Sequence, residues 1–280
     1  MADVTLSLIA KLREMTNAGM MDCKKALVET NGDLQAAVDV LRKRGRASAA
    51  KKAFREAREG VIVQHILPGA RVGVLAEINC ETDFVAKNEG FRAFCDGVAK
   101  ALANDPQADV EPLRVEQVAK TGENVRLARF QRLEVTGNGI IAGYIHTGAK
   151  IGVLVEVGAG RPATIETEGF KQLVRDLTLQ IAAANPLAVS RDQLDPAMVV
   201  KEREIGAEQV KNKPPQAIAK IVEGKLEKFF QTVCLVDQGF VKKNGEITVG
   251  EHVAAVAKQL GEQIVIRRFL RFQVGESFAA

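Results

Sequence analysis

Apolar and polar positions change period along this chain, and the changes mark its elements. Between residues 5 and 16, Leu6, Ile9, Leu12 and Met15 recur at helical spacing and predict a first helix. Asn17-Ala18-Gly19 breaks the pattern, and MMDCKKALVET (20–30) predicts a second helix. Asn31-Gly32 is a turn signal. Asp33 is placed to cap a third helix whose apolar face is Leu34, Ala37, Val38 and Leu41. These segments predict a three-helix bundle over 1–45, near the lower size limit for independent stability. So small a bundle has little room for an active site and suits docking better. Of the adjacent Met20 and Met21, one is expected in the core and the other exposed beside Lys24, where a polarizable thioether makes an adaptable contact. Residues 46–59 read as a basic linker.

Beyond this point the period shortens and the sequence repeats itself. GVIVQHILPGARVGVLAEI starts at Gly60 and GIIAGYIHTGAKIGVLVEV at Gly139, an offset of 79. The offset holds without a gap to Glu89-Gly90-Phe91 and Glu168-Gly169-Phe170, where each copy enters a helical pattern. Each copy therefore predicts two strands around a turn, Pro68-Gly69 or Thr147-Gly148, and then a helix. Further on, ENVRLARFQRLEV (123–135) matches EQIVIRRFLRFQV (262–274) at an offset of 139, a closing strand for each copy. The expected core is thus a duplicated α+β fold with antiparallel sheets, subdomain 1 over 60–138 and subdomain 2 over 139–280.

The change of offset requires 60 extra residues between Pro186 and Glu262. Asp195-Pro196 is a cap followed by a proline suited to a first helical position. Lys213-Pro214-Pro215 must break that helix. Ile218, Ile221, Val222, Leu226 and Phe229 then recur at helical spacing. An inserted, projecting helical hairpin is expected at about 190–232.

The duplication isolates one short stretch. In NCETDFVAKNEGF (79–91), Asp83 and Phe84 align with Pro162 and Ala163 of the second copy. A phenylalanine required by the shared scaffold should have an apolar counterpart of similar size. Two readings stay open: a functional tip added to the scaffold, or a plug for a gap peculiar to the first copy.

Composition narrows the function classes. The 280 residues are 46% hydrophobic and 26% charged, and the net charge is +4. No apolar run approaches the length of a membrane span, and the N-terminus has no signal-peptide core. The four scattered cysteines form no CxxC and suit reduced thiols in a cytosol. The histidines, His65, His146 and His252, show no triad or metal spacing, and no phosphate-binding loop motif occurs. Eight basic residues fall between Arg42 and Arg58, as a solvated face or a contact for an acidic protein surface or RNA. No aromatic interleaving is read there, which counts against single-strand binding.

With AGMMDCKKAL (18–27), INCETDFVAKNEGF (78–91), TGENVRLARF (121–130) and IHTGAKIGVLVEV (145–157) in this order, the chain closely resembles the bacterial elongation factor Ts family. Members are guanine-nucleotide exchange factors for elongation factor Tu. The resemblance covers nearly the whole chain. It implies a bundle like the ubiquitin-associated domain, a two-part α+β core and a coiled-coil hairpin. It also implies that Thr82, Asp83, Phe84 and Val85 reach the nucleotide magnesium of the GTPase and displace it. Met20, Met21 and Lys24 match the family's N-terminal docking surface, and His146 matches a contact in the second subdomain. No catalytic residue, protein-held metal or cofactor is implied. The implied partner is elongation factor Tu, GDP-bound and nucleotide-free, in the cytoplasm, with no membrane and no nucleic-acid role required. A one-to-one complex and a dimer of such pairs both stay open. Many members continue after the last strand into a further helical module, whereas this chain ends at VGESFAA (274–280). The competing classes are an enzyme, which covalent turnover would reveal, and an RNA-associated adaptor using residues 42–58, which steeply salt-dependent RNA binding would reveal.

Overall fold

A computed structural model describes residues 4–16 and 18–276. Asn17 of the first helix break and residues 277–280 of the chain's end lie outside the described residues. Three helices come first: α1 (Leu6–Thr16), α2 (Met20–Glu29) and α3 (Leu34–Lys52). Asp33 caps α3 as expected, its carboxylate accepting the Ala36 N–H at 3.0 Å. The bundle core is Ile9, Leu12, Cys23, Ala26, Leu27, Ala37 and Val38, flanked by Val4, Leu8, Leu34 and Leu41.

Two details depart from the periodic reading. Leu6 and Met15, on the predicted stripe of α1, are exposed, while Leu8 packs on the core. Both lie in the end turns of the helix. The third helix also continues through Ala47–Lys52, so the first half of the expected linker is helical. The stretch ASAAKK holds good helix formers and no breaker, and α3 packs against a later helix, α6 (Glu111–Thr121). A Cβ on Gly45 would come within 3.3 Å of Val115.

The first copy of the repeat comprises β1 (Glu59–Ile66), β2 (Val72–Cys80), α4 (Asp83–Lys87), α5 (Glu89–Asn104), α6 (Glu111–Thr121) and β3 (Arg126–Glu134). The second comprises β4 (Gly139–Ile145), β5 (Ile151–Ala159), α7 (Pro162–Ile165) and α8 (Glu168–Ala184). It resumes, after the insert, with α11 (Val249–Leu260) and β6 (Ile264–Gln273). Strand order is β1-β2-β3 in one sheet and β4-β5-β6 in the other. Both pairings of the second sheet are antiparallel.

Turns repeat as faithfully as strands. Gly69 and Ala70 both have positive φ, 85° and 54°, and so do Gly148 and Ala149, 88° and 59°. In each, the alanine N–H closes a four-residue turn, Ala70 onto the Leu67 carbonyl at 3.0 Å and Ala149 onto the His146 carbonyl at 2.8 Å, with glycine at the third position, where positive φ is required. The middle strands β2 and β5 are buried on both faces after their first residue. Under β5 lie Phe170, Leu173, Leu177 and Ile181 of α8, with Phe240 and Val249. In the insert, α9 (Pro196–Glu208) and α10 (Pro215–Val233) pack on each other. Val199 near the start of α9 shares a cluster with Phe229 and Phe230 near the end of α10, so the pair is antiparallel.

Two compact units emerge, residues 1–63, 76–130 and 274–280 in one, and 64–75 and 131–273 in the other. This division differs from the repeat boundary at 138/139. The hairpin tip 64–75 belongs to the second unit, where the Ala70 carbonyl accepts the Ile141 N–H at 2.7 Å.

Each copy buries one glutamate on its middle strand. Glu77 receives Arg129 Nε at 2.7 Å and the Gly275 N–H at 2.9 Å. Glu156, fully buried, receives Arg268 Nε at 2.7 Å, Arg267 Nη1 at 3.0 Å and the Thr136 N–H at 3.0 Å. Burial by itself raises the Glu156 pKa, but the two arginines and the Thr136 N–H outweigh it and hold the carboxyl below its ordinary 4.5. A depressed folded-state pKa gives stability that is complete above the unfolded value and is lost as pH falls through the folded one. Glu156→Ala, leaving two arginines facing a buried gap, is expected to cost about 3–5 kcal/mol in urea unfolding. It should also flatten the loss of stability on acidification below pH 4.5 relative to the parent.

Candidate functional site

The stretch Thr82–Val85 sits where β2 hands over to α5, on a helix of a single turn. Thr82 caps that helix, its hydroxyl oxygen accepting the Val85 N–H at 3.3 Å. Asn88 ends it and at once caps α5, accepting the Phe91 N–H at 3.2 Å. Two caps six residues apart leave the intervening side chains little choice of direction. Ala86 turns inward and is buried, whereas Phe84 is 81% exposed. A plug for a gap would be enclosed, so that reading fails and the aromatic ring is presented to solvent. Phe91, seven positions on, is fully buried and supplies the scaffold's aromatic, as Phe170 does in the second copy.

Asp83 lies in the first turn of α4, where a carboxylate complements the helix dipole. Lys87 Nζ donates to Asp83 Oδ2 at 2.6 Å. That hydrogen bond is the main reason the Asp83 carboxyl lies below its ordinary range. Thr82, Phe84 and Val85 line an open cleft of about 570 Å³ together with Gln117, Lys120 and Glu123. Glu123 is the residue that the sequence pattern left without a role. Its Oε2 accepts the N–H groups of Glu81 and Thr82 at 2.9 and 3.0 Å, and its Oε1 accepts the Thr82 hydroxyl at 2.6 Å. The available signal was the pairing of Gly122-Glu123 with Gly261-Glu262 at the same point of the two copies.

The other expected contact residues fall elsewhere. Met20 and Met21 are both exposed, 53% and 61%, which corrects the expectation that one faces the core. The buried face of α2 is Cys23, Ala26 and Leu27. Met21 lies off that face. Met20 is in the first turn, where side chains lean back past the helix end. Lys24 is exposed on the same helix. His146 belongs to the second unit, exposed in the turn after β4, with Nδ1 2.9 Å from the Tyr144 hydroxyl. The four cysteines are buried, and burial pushes the Cys234 thiol up to about 11. Among the described residues no group of three His, Cys, Asp or Glu could hold a metal ion, and no helix is long and apolar enough to cross a membrane. Within the basic segment Phe54 is 95% exposed, so one aromatic does stand among those charges, contrary to the sequence reading.

A duplicated α+β core, a three-helix bundle with bare methionines and an aromatic side chain held out on a capped turn define a two-part α+β protein that leaves apolar side chains open to solvent. Comparison with known families narrows this class. The family model Elongation factor TS matches residues 81–276. An Elongation factor Ts of Symbiobacterium thermophilum is 43% identical, over 99% of this chain and 93% of the relative. One of Clostridium botulinum is 42% identical over 96% and 92%, and one of Lawsonia intracellularis 39% identical over 98% and 99%. The chain belongs to the elongation factor Ts family.

Exposure of Phe84 has a direct consequence for stability. Phe84→Ala should leave the thermal midpoint essentially unchanged. Phe91→Ala, at a fully buried position, is expected to cost about 3–5 kcal/mol. Thermal unfolding of the two variants beside the parent reads both outcomes.

Proposed function

We propose that this chain promotes GDP release from elongation factor Tu, with Thr82–Val85 as the tip that disturbs the magnesium site of the GTPase. The observation that carries this reading is the exposure of Phe84 on a doubly capped turn, at a place where the second copy of the scaffold carries only Ala163. The family supplies the partner and the general role in translation elongation, which belongs to the cytoplasm.

No covalent step is needed. GDP and Mg²⁺ are gripped together, and Mg²⁺ tolerates little departure from octahedral geometry, so displacing its surroundings weakens both. A factor that binds best to the GTPase with that grip broken lowers nucleotide affinity, and nucleotide lowers its own affinity by the same factor. Phe84 acts as the wedge. Burial of one phenylalanine supplies about 1.5–3 kcal/mol, and each ~1.4 kcal/mol directed at the barrier is tenfold in rate. One wedge therefore gives one to two decades, and further selectivity comes from docking through Met20, Met21 and Lys24 in the bundle and His146 in the second unit. Asp83 orients the turn through Lys87. It does not serve as a ligand, since an added carboxylate near Mg²⁺ would help to hold the ion.

Stopped-flow release of fluorescent GDP from elongation factor Tu tests this reading. The parent chain should accelerate release and bind the nucleotide-free GTPase far more tightly than its GDP–Mg²⁺ form. Phe84→Ala should slow stimulated release about tenfold or more, and added Mg²⁺ should oppose the variant more strongly. Equal affinity for the two GTPase forms would exclude exchange by linkage, because equal binding shifts nothing.

A further inference from the structure

A single carboxylate grips the start of the exposed turn. Glu123 follows Gly122, whose left-handed backbone (φ 73°) ends α6, so the terminus of a helix sets its position. Its two oxygens take three donors from the handover segment: the N–H groups of Glu81 and Thr82 and the Thr82 hydroxyl. The hydroxyl contact is the telling one. A threonine hydroxyl has a single proton, and giving it to Glu123 leaves its lone pairs for the Val85 N–H. The carboxylate thereby fixes the rotamer of the cap that starts α4. Hydrogen bonds to an ionised acceptor are stronger than neutral ones. A reciprocal bond closes the arrangement, the Asn124 N–H donating to Glu81 Oε1 at 2.6 Å.

The second copy provides an internal control. Glu262 also follows a left-handed glycine, Gly261 (φ 60°), at the end of α11. Arg161, which aligns with Thr82, points its Nε at Glu262 Oε2, 2.6 Å away, and the Thr164 hydroxyl lies 3.4 Å from the same oxygen. Glu262 Oε1 accepts the N–H of its own neighbour Gln263 at 2.9 Å. The carboxylate stays at the same station, but here it binds side chains of a turn that presents only Pro162 and Ala163. In the first copy it grips the backbone and the cap of a turn that presents Phe84.

We propose that Glu123 is the positioning residue of the exchange tip, setting the direction of Phe84 through the backbone of Glu81 and Thr82 and the hydroxyl of Thr82. This rests on the reading of Thr82–Val85 as the acting turn. Loss of the clamp leaves Phe84 in place chemically but lets α4 swing or fray. A wedge without a fixed direction loses maximal rate, while docking through the bundle is left alone.

Exchange on elongation factor Tu, titrated with the full chain to saturation, separates these effects when rates are taken per folded molecule. Glu123→Ala should lower the maximal rate of GDP release to the level of Phe84→Ala, about tenfold below the parent, with little change in the half-saturating concentration. Glu123→Gln keeps an acceptor oxygen for the two N–H groups and an amide that can donate to the Thr82 hydroxyl, so it should restore most of the rate. Amide hydrogen exchange at Glu81 and Thr82 should quicken in Glu123→Ala and stay slow in Glu123→Gln. Glu262→Ala, which removes the counterpart clamp, should leave the maximal rate unchanged. A parent-like maximal rate in Glu123→Ala would overturn the proposal, as would a glutamine variant as slow as the alanine one, which would assign the effect to charge. If Phe84→Ala has no effect on release, the reading of the tip fails. In that case quickened amide exchange with an unaltered rate would confine Glu123 to a structural clamp.

Discussion

A carboxylate enclosed by protein must find all its partners or it destabilises the fold, and each half of this core is organised around one. Glu77 and Glu156 stand at equivalent points of the two middle strands and face equivalent arginines, Arg129 and Arg268, with the same 2.7 Å contact to Nε. The completing N–H groups are equivalent too, but reciprocal. Glu156 is satisfied by Thr136, just past the last strand of the first copy, and Glu77 by Gly275, just past the last strand of the second. Neither glutamate can be satisfied by local chain alone. Glu156 also pairs in register opposite Arg268. A slip of one residue would turn the glutamate to the other face and strand a buried charge. The pairs therefore fix register more surely than they add net stability, because desolvation offsets much of their attraction.

With the strands held so, the two handover turns could diverge. Both copies place a glutamate after a left-handed glycine at the end of the last helix, and both aim it at the start of the short helix after the middle strand. What differs is the chain it meets. In the second copy Gly160 stands where the first has Glu81, and a Cβ there would lie 2.4 Å from Glu262 Oε1. Small local changes around an unchanged carboxylate thus decide whether the turn is a closed corner or a platform for an aromatic ring. The scaffold carries two such stations, and only the first presents Phe84.

Much of this was legible in the sequence because duplication acts as an alignment. The offsets of 79 and 139 mark strands, turns and insert, and the mismatch of Phe84 with Ala163 marks the turn in which the copies differ. Three things stayed hidden for physical reasons. Helix ends depend on neighbours: α3 runs to Lys52 because α6 supports it, and a charge count alone reads that stretch as linker. Exposure at a helix terminus does not follow periodicity, so Met20 and Met21 are both exposed although their adjacency predicts one in the core. The hydrogen bonds of Glu123 span about forty residues of sequence, and no local pattern announces a carboxylate whose partners are backbone N–H groups.

The exposure of Phe84 also bears on how selectivity can arise without catalysis. An aromatic ring left in water forgoes burial worth about 1.5–3 kcal/mol, and the fold has a buried aromatic of its own in Phe91 only a few residues away. On the proposed reading, that unburied surface becomes favourable only against a GTPase whose nucleotide grip has opened, so the gain is confined to one state of the partner. A flexible ring could reach the same contact, but ordering it would consume part of the gain as lost conformational freedom. Caps at Thr82 and Asn88 and the clamp at Glu123 place that ordering within the folding of this chain, ahead of the encounter. On the same reading, the fixed direction of the ring leaves it one line of approach, so docking elsewhere on the chain must present the right part of the partner to it.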